Sequence, residues 1–455
     1  MKQAVSFTSD PVGHLLYRMS LPMVWGLLAT MSFNAVDTYF VAQLGEESLA
    51  AMSFTFPVVM VVTSMAIGLG AGTSSVIARM LGQNRTDYAK RLAGDSLLLS
   101  AVLSIVMVVI GLLTIEPLFL LLGASKELIP EIESYMWIWY LSAPFIIIPM
   151  TISALMRATG NNMVWGILMI LAAFLNALLD PILIFGWGPI PRMEIEGAAW
   201  ATLLTRMLLV IGSGYYVLKR LNLVSMPHTR WADVSEAWRS ILHIGIPAMA
   251  TNMIIPFASG ITVALVANYG LDAVAGFGVA QRIEPVVLIA FYALSGVIGP
   301  FFGQNMAQEY QHRQRQALLL VMRFCLGFGL LIAVLLWFVA EPVSAWFSES
   351  PEIVLVSVAY LTLVPVSYGL YGLVMSINAT FNGLGKPMPS MVISVMRVLG
   401  FYLPLVWLGQ HLWELNGLFA ATCVANILAG FLGYFWLRRT LKKDMSEGQA
   451  SKVEA

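Results

Sequence analysis

Charged residues are scarce in this chain of 455 residues: Asp, Glu, Lys and Arg make up only 11% of it, against roughly 25% in soluble domains. Hydrophobic residues reach 59%, and the mean hydropathy is +0.80. This shortage of charge argues against a soluble globular protein, and we predict no nucleic-acid partner. The composition predicts a polytopic membrane protein.

Cysteine is almost absent, and Cys325 and Cys423 both fall inside apolar segments, where they are expected to be small core residues. Redox chemistry is therefore not implied. The sequence has no HExxH, GxSxG or Walker A motif and no ATP-binding domain. We predict no enzymatic activity and no cofactor, so an ion gradient has to supply the energy for any transport.

Long apolar segments fill most of the chain, and each is close to or above the roughly 20 residues that a helix needs to cross a bilayer. We number them 1 to 12, at residues 20–42, 50–78, 92–115, 132–156, 163–186, 197–218, 241–268, 273–302, 317–340, 352–380, 388–410 and 413–437. The predicted fold is an all-α membrane protein with twelve transmembrane helices. Residues 1–14 are polar and precede a long apolar run, so no cleavable signal peptide is predicted.

The loops between these segments carry an uneven distribution of positive charge. Of the 25 Lys and Arg residues, 20 lie on the side that holds the N-terminus, and only Lys126 and Arg192 lie on the other side. The remaining three, Arg206, Arg282 and Arg397, fall within the apolar segments. Because basic loops stay in the cytoplasm, both termini are predicted to be cytoplasmic, in a protein of the inner membrane.

Short motifs recur at a nearly constant spacing, which indicates an internal repeat. Pro22 and Gly45 recur as Pro247 and Gly270 at one identical offset, and the GQN sequence that follows segment 2 (82–84) recurs after segment 8 (303–305). The motif GAAWAT (197–202) matches GLFAAT (417–422). We therefore predict two pseudo-symmetric six-helix bundles: an N-lobe at residues 1–222 and a C-lobe at 241–440. A cytoplasmic connector at 223–240 joins them, and a cytoplasmic tail follows at 441–455.

Two like-oriented bundles that rock about a central cavity have the geometry of an alternating-access transporter. The motifs VDTYFVAQLG, LMRATGNN and NALLDPILIFG, together with the paired GQN sequences and the proline of segment 1, resemble the multidrug and toxic compound extrusion (MATE) family. The resemblance covers about residues 10–440. Carboxylates in segments 1 and 5 make the chain most similar to the DinF-like branch of that family.

Asp37 in segment 1 and Asp180 in segment 5 are the carboxylates on which we centre the predicted function. A charged side chain at the middle of a membrane helix costs about 2.5–3.5 kcal/mol, so each acid needs a functional reason. Asn34 and Asn176 share a helical face with Asp37 and Asp180, respectively. Together, burial and like charge favour the protonated forms of two neighbouring carboxylates, which suits proton coupling.

The repeat places Thr262 at the position of Asp37 and Leu405 at that of Asp180, so ion coupling is predicted in the N-lobe alone. Thr202 could complete an oxygen set with Asp37, Asn176 and Asp180. Hard cations prefer such oxygen ligands, and the resemblance implies the same four positions as a Na⁺ site. The choice between H⁺ and Na⁺ stays open at this point.

Further residues are predicted to shape the cavity or to move. Pro22 weakens the helix that carries Asp37, which makes it the candidate hinge, although a static kink is the alternative. Arg282 and Glu284 are predicted to belong to a gating or structural ion-pair network. The predicted substrate-binding residues are Asn34, Tyr135, Trp139, Met31 and Phe33, since aromatic and Met side chains can repack around amphipathic cations.

The leading hypothesis is a monomeric secondary antiporter in the lipid bilayer that exports amphipathic or cationic small-molecule drugs in exchange for H⁺ or Na⁺. The alternative is a lipid-linked oligosaccharide flippase, because such proteins also resemble two six-helix halves. A flippase would be expected to show a cavity rich in Arg and Lys for a pyrophosphate. Only Arg206, Arg282 and Arg397 are available here.

Overall fold

The computed structural model describes residues 6–225 and 230–453, and the regular elements in these ranges are helices. An isolated β-bridge joins Trp187 and Ile190. The helices up to residue 225 are α1 (Val12–Ala42), α2 (Glu46–Gly82), α3 (Thr86–Leu121), α4 (Ile129–Leu141), α5 (Pro144–Ala158), α6 (Asn162–Phe185) and α7 (Glu194–Tyr215). The later helices are α8 (Trp231–Val266), α9 (Leu271–Val287), α10 (Ile289–Gln304), α11 (Gln311–Ala345), α12 (Pro351–Leu363), α13 (Tyr368–Gly383), α14 (Pro387–Val395) and α15 (Leu403–Val453).

The predicted all-α fold is confirmed, and the described residues are consistent with twelve spans. Ten helical stretches are long and apolar enough to cross a membrane, and the pair α9 and α10, bent by 45°, forms an eleventh. The last stretch, Pro387–Lys443, contains two predicted segments, 11 and 12. The helical backbone breaks between them at Trp413 and Glu414, which supplies the twelfth span.

Prolines break several of the predicted segments into two helices. Segment 4 divides into α4 and α5 immediately before Pro144, and segment 10 divides into α12 and α13 around Pro365. Segment 8 bends at Leu288, shortly after Pro285. Each proline lacks a backbone N–H and clashes with the preceding turn, so the bends occur where the sequence weakens the helix.

The two repeats share their turns as well as their sequence motifs. Gly45 has a φ of 122°, and its counterpart in the second repeat, Gly270, has a φ of 104°. Gly160 and Gly385 are related by the same offset and have φ values of 80° and 74°. These values lie in the left-handed region that glycine adopts without the strain that a Cβ atom would cause. The same turns therefore connect equivalent helices in both repeats.

Contacts divide the chain into two compact units, one of Leu21–Met249 and another of Ser6–Ser20 together with Ala250–Ala455. In the first unit α2 packs on α5, and α6 packs on α7. In the second unit α10 and α11 pack on α13. The predicted lobe limits at 222 and 241 stay predictions, although α8 already begins at Trp231, inside the predicted connector.

Large apolar side chains cover the outside of the helices, as expected for contact with lipid. Leu113, Phe174, Trp337, Phe338 and Trp407 are each at least 65% exposed. Small polar residues pack inside instead, as in the first unit, where Ser100 and Thr151 share a hydrogen bond of 2.7 Å. The protein is therefore a multi-pass membrane protein whose helices associate partly through buried hydroxyl groups.

Candidate functional site

Helices α1 and α6 run side by side in the first unit, and this arrangement brings the two carboxylates together. The middle of α1 meets α6 near the N-terminal end of α6, where Gly26 and Gly166 face each other. The two helices meet again near their C-terminal ends, where the rings of Phe40 and Phe185 pack edge to face at 6.3 Å. Asp37 and Asp180 lie between these two contacts, close enough to interact electrostatically.

Helix α7 runs antiparallel to α6 and adds a third side to the site. A Cβ atom on Gly197 would touch Leu183, and one on Gly212 would touch Leu168. The two glycines on α7 are therefore separated by as many residues as the two leucines on α6. This constant register places Thr202 opposite residue 178, midway between Asn176 and Asp180. The structure therefore brings Asp37, Asn176 and Asp180 together and places Thr202 at the same level on the neighbouring helix α7.

These four residues are almost completely buried: Asp37 is 6% exposed, Thr202 is 3% exposed, and Asn176 and Asp180 are 0% exposed. The side-chain amide of Asn176 donates to Oδ1 of Asp180 at 3.0 Å. One oxygen of each residue has no hydrogen-bond partner among the described residues: Asp37 Oδ1, Asn176 Oδ1, Asp180 Oδ2 and Thr202 Oγ1. A buried acceptor without a partner costs about 1–3 kcal/mol, so this cluster has the chemistry to bind a proton or a hard cation.

Arg206 faces this cluster without forming a salt bridge to it. Its guanidinium lies 5.9 Å from the ring centroid of Phe33, and its Nη1 donates to Ser142 Oγ at 3.4 Å. Among the described residues, none of its nitrogens lies within 4.0 Å of a carboxylate oxygen of Asp37 or Asp180. The arginine therefore acts on Asp37 through space and not through a direct ion pair.

Tyr135, on α4, belongs to the same cluster, because its hydroxyl interacts electrostatically with Asp37, Asp180 and Arg206. Tyr135 is predicted from the sequence to bind substrate, and its position beside the two acids was not predicted. For Arg206 the sequence predicted only a position within an apolar segment. Its position one helical turn after Thr202 is the sequence signal that puts it on the same face of α7.

The residues predicted to bind substrate differ in exposure. Asn34 is exposed and Met31 is half-buried, whereas Phe33 packs inside the unit beneath Arg206. Tyr135 and Trp139 are 4% and 3% exposed, and Trp139 packs edge to face against Tyr140 at 5.9 Å. Asn34 and Met31 are therefore the members of this set that a guest molecule could reach in this conformation.

Pro22 lies on α1 where this helix approaches α6 most closely. A Cβ atom on Gly166 would sit only 2.6 Å from the Pro22 carbonyl oxygen. The main chain of the candidate hinge thus rests directly against a neighbouring helix, an approach that requires glycine at position 166.

The second unit contains a polar cavity of about 200 Å³ around Glu284, on α9. Tyr360 donates its hydroxyl proton to Glu284 at 3.0 Å. The guanidinium of Arg397 lies 4.6 Å from the ring centroid of Tyr371, and its Nη1 donates to Asn426 Oδ1 at 3.1 Å. Arg397 belongs to the π-helical turn Met396–Tyr402, an irregularity that is frequent at functional sites.

This geometry corrects the expected association of Arg282 with Glu284. Arg282 is exposed, whereas Glu284 turns inward to Tyr360 and interacts electrostatically with Arg397. Two residues that are two positions apart on a helix project about 200° from each other, and α9 is regular at this point. Pro285 does not bend the helix until Leu288, too late to bring the two side chains together.

The two units use equivalent positions differently. Tyr135 and Ser142 correspond to Tyr360 and Ser367, while Thr202 and Arg206 correspond to Thr422 and Asn426. In the second unit Thr262, the counterpart of Asp37, shares a 2.6 Å hydrogen bond with Tyr402, and the Asn426 amide donates to Ser367 at 3.0 Å. The first unit thus holds the four oxygens without partners. In the second unit the hydroxyl of Thr262, which takes the place of Asp37, is hydrogen-bonded.

The MatE family model matches this chain twice, at residues 22–182 and at residues 247–408. The chain belongs to the MATE family. The two matches begin at Pro22 and at Pro247, the pair of prolines that also marks the start of each internal repeat. MATE proteins are transporters, so this membership also supports the expectation that the chain is not an enzyme.

Individual relatives agree with the family and extend over nearly the whole chain. A protein named FAD transporter from Shewanella oneidensis is 38% identical over 439 residues, covering 96% of this chain and 97% of its own. The multidrug export protein MepA of Staphylococcus aureus is 23% identical and covers 98% of each chain. The crystal structure of the Vibrio cholerae MATE transporter VcmN in the bent form is 32% identical. It covers 95% of this chain and 98% of its own, with a TM-score of 0.89.

Proposed function

We propose that this MATE protein is a secondary antiporter that exports amphipathic small molecules in exchange for a cation bound between Asp37 and Asp180. The observation that carries the proposal is the set of four buried oxygens without partners in the first unit. A proton on one carboxylate would supply the missing donor, and Na⁺ would instead be held by oxygens from all four residues.

The coupling follows from the charge of this cluster. Two ionised carboxylates in a poorly hydrated pocket repel each other, and the half-buried Arg206 offsets this repulsion only through space. Binding H⁺ or Na⁺ removes the repulsion, so α1 and α6 can pack more closely at that level. Closer packing of α1 changes the cavity that holds the exported compound and links ion uptake to substrate release.

Two classes of exported compound are supported by relatives. MepA is named a multidrug export protein, which favours amphipathic or cationic drugs. The more similar Shewanella relative is named an FAD transporter, which favours a planar flavin joined to a charged pyrophosphate. We therefore propose that the exported compounds include flavin adenine dinucleotide beside amphipathic drugs, a larger and more anionic class than the sequence alone predicted.

The orientation is part of the same proposal. Both termini are placed in the cytoplasm of a bacterial cell, in the inner membrane, because 20 of the 25 Lys and Arg residues lie on that side. The protein is proposed to act as a monomer, since one chain contains both repeats and the complete ion site.

Proteoliposomes containing the purified protein provide the test. A pH gradient and a Na⁺ gradient are imposed separately, and the accumulation of a fluorescent cationic drug and of flavin adenine dinucleotide is followed under each. One gradient should drive transport against the substrate's concentration gradient. Transport that only equilibrates the substrate under both gradients would contradict the antiporter.

A further inference from the structure

A groove of about 680 Å³ lies along the C-terminal part of α15, apart from both polar clusters. Leu432, Phe435, Trp436, Arg439 and Lys443 line one side of it. These positions follow the 3–4 spacing of a single helical face. Along that face the residues change from apolar to basic as the chain leaves the predicted segment 12, which ends at residue 437.

The apolar end of the groove has a firmly packed wall. The ring of Trp436 packs edge to face on Phe381 at 6.3 Å, and Phe381 is itself fully buried. The Trp436 carbonyl accepts a 3.0 Å hydrogen bond from Thr440. Tryptophan is favoured where hydrocarbon meets lipid headgroups, because its ring is apolar and its N–H is polar. Phe435 is 59% exposed beside it and presents a surface for an acyl chain.

The other end of the groove is positively charged. Lys386 enters from the N-terminal cap of α14, directly after the left-handed turn at Gly385, and lines the same groove as Arg439 and Lys443. Three cations from two separate parts of the chain thus line one groove. None of the described residues that line it is acidic.

We propose that this groove binds an anionic phospholipid of the cytoplasmic leaflet. The phosphate would lie among Lys386, Arg439 and Lys443, and an acyl chain would follow Phe435 and Leu432 towards the bilayer centre. A lipid fits better than a soluble anion, because the apolar and basic parts of the groove follow the order of acyl chain and phosphate in a leaflet. This inference uses the cytoplasmic orientation proposed above and is independent of the transported substrate and of the coupling ion.

The chain offers a closely matched control for the test. The double variant Arg439→Gln/Lys443→Gln removes two cations from the groove. The variant Arg438→Gln/Lys442→Gln removes the same two residue types, at the same spacing, from positions outside the groove. Both variants have the same net charge, so a general attraction to anionic membranes would fall equally in both.

Native mass spectrometry of the full-length protein, with phosphatidylglycerol, phosphatidylcholine or glycerol 3-phosphate added, measures the affinity. Basic residues near an anionic membrane surface each strengthen attachment, so the groove variant should bind phosphatidylglycerol about 10–30-fold more weakly than wild type. The control variant should stay within about twofold of wild type, and phosphatidylcholine should bind weakly to all three proteins.

Three results would overturn the proposal. Equal losses in the two variants would show a non-specific charge effect, and unchanged binding in the groove variant would place the lipid elsewhere. Glycerol 3-phosphate binding as tightly as the intact lipid would show a site for soluble phosphates instead. Thermal unfolding of both variants in detergent checks that they are folded. A groove variant that is folded and binds the lipid as tightly as wild type refutes the proposal.

Discussion

Replacing Asp37 with Asn should abolish ion-driven transport while leaving the protein folded. Asn has nearly the same shape as Asp, but its amide neither ionises nor releases a proton. The cluster would then keep Asp180 as its single carboxylate, with Thr202 and Asn176 still in place. The change therefore removes the exchangeable charge and leaves the packing of α1, α6 and α7 largely as it is.

The expected loss of transport can be estimated from the driving force. An ion gradient equivalent to 100 mV supplies about 2.3 kcal/mol for each ion exchanged, which corresponds to roughly fifty-fold accumulation of substrate. Without a coupled ion the variant can only equilibrate its substrate, so the accumulation ratio should fall from about fifty to about one. Residual downhill movement of substrate is compatible with the reasoning.

The stability of the same variant should be unchanged or higher. An uncharged amide avoids the cost of about 2.5–3.5 kcal/mol for a charge in the middle of the membrane. Its NH₂ group can also donate to acceptors that lack partners, such as Asn176 Oδ1 or Thr202 Oγ1. One such hydrogen bond contributes about 1 kcal/mol, so the midpoint of thermal unfolding in detergent should not fall.

The assay is substrate accumulation in proteoliposomes under separate pH and Na⁺ gradients, and Thr262→Ala is the matched control. Thr262 is the counterpart of Asp37 in the second repeat, so its loss should be much milder. Wild-type accumulation by Asp37→Asn would refute the assignment of Asp37. Equal inactivity of the two variants would refute the placement of ion coupling in the first unit alone.

Other substitutions test separate steps of the same reasoning. Thr202→Val keeps the side-chain shape but removes one oxygen, so Na⁺-driven transport should weaken about tenfold while H⁺-driven transport changes little; equal effects on both would exclude a ligand role. Gly166→Ala inserts a methyl group 2.6 Å from the Pro22 carbonyl, so the protein should lose about 1–3 kcal/mol of stability, measured by thermal unfolding. Tyr360→Phe removes the hydroxyl donor to Glu284, a half-buried carboxylate of the second unit, and should cost about 1–3 kcal/mol, with ion coupling retained in the liposome assay. Pro22→Ala and Pro247→Ala should each slow transport, whereas normal turnover in both would leave the prolines as static kinks.

Much of the fold could be predicted from the sequence because few physical constraints govern a membrane chain. Inside lipid an apolar chain satisfies its backbone hydrogen bonds by forming helices, so the lengths of the apolar segments alone located the spans. The repeat was visible because the turns at Gly45 and Gly270 require the same unusual backbone angle in both halves. The oxygen set was predictable because polar residues with the right helical spacing are rare in such segments.

The sequence could not distinguish which apolar faces are buried. In a membrane bundle the lipid-facing side and the packed side of a helix are both apolar, so the sequence did not indicate that Trp139 and Phe33 are buried in this structure. The partners of Glu284 were also not foreseeable. The π-helical turn at Met396–Tyr402 shifts the register of the side chains that follow it, and no motif in the sequence indicates such a turn.

Pro22, the candidate hinge, and its counterpart Pro247 both lie where the chain passes from one compact unit to the other. In α1 this passage occurs between Ser20 and Leu21, next to Pro22, and in α8 it occurs between Met249 and Ala250, just after Pro247. Each proline removes a backbone hydrogen bond, so each helix bends most easily near that point. Asp37 lies about 22 Å beyond Pro22 along the helix, so a tilt of about 10° would displace its carboxylate by about 4 Å. A hydrogen bond tolerates only a few tenths of an ångström. A small pivot at Pro22, with its carbonyl resting against Gly166, is therefore enough to assemble or dismantle the oxygen cluster, which gives ion binding direct control over the position of α1.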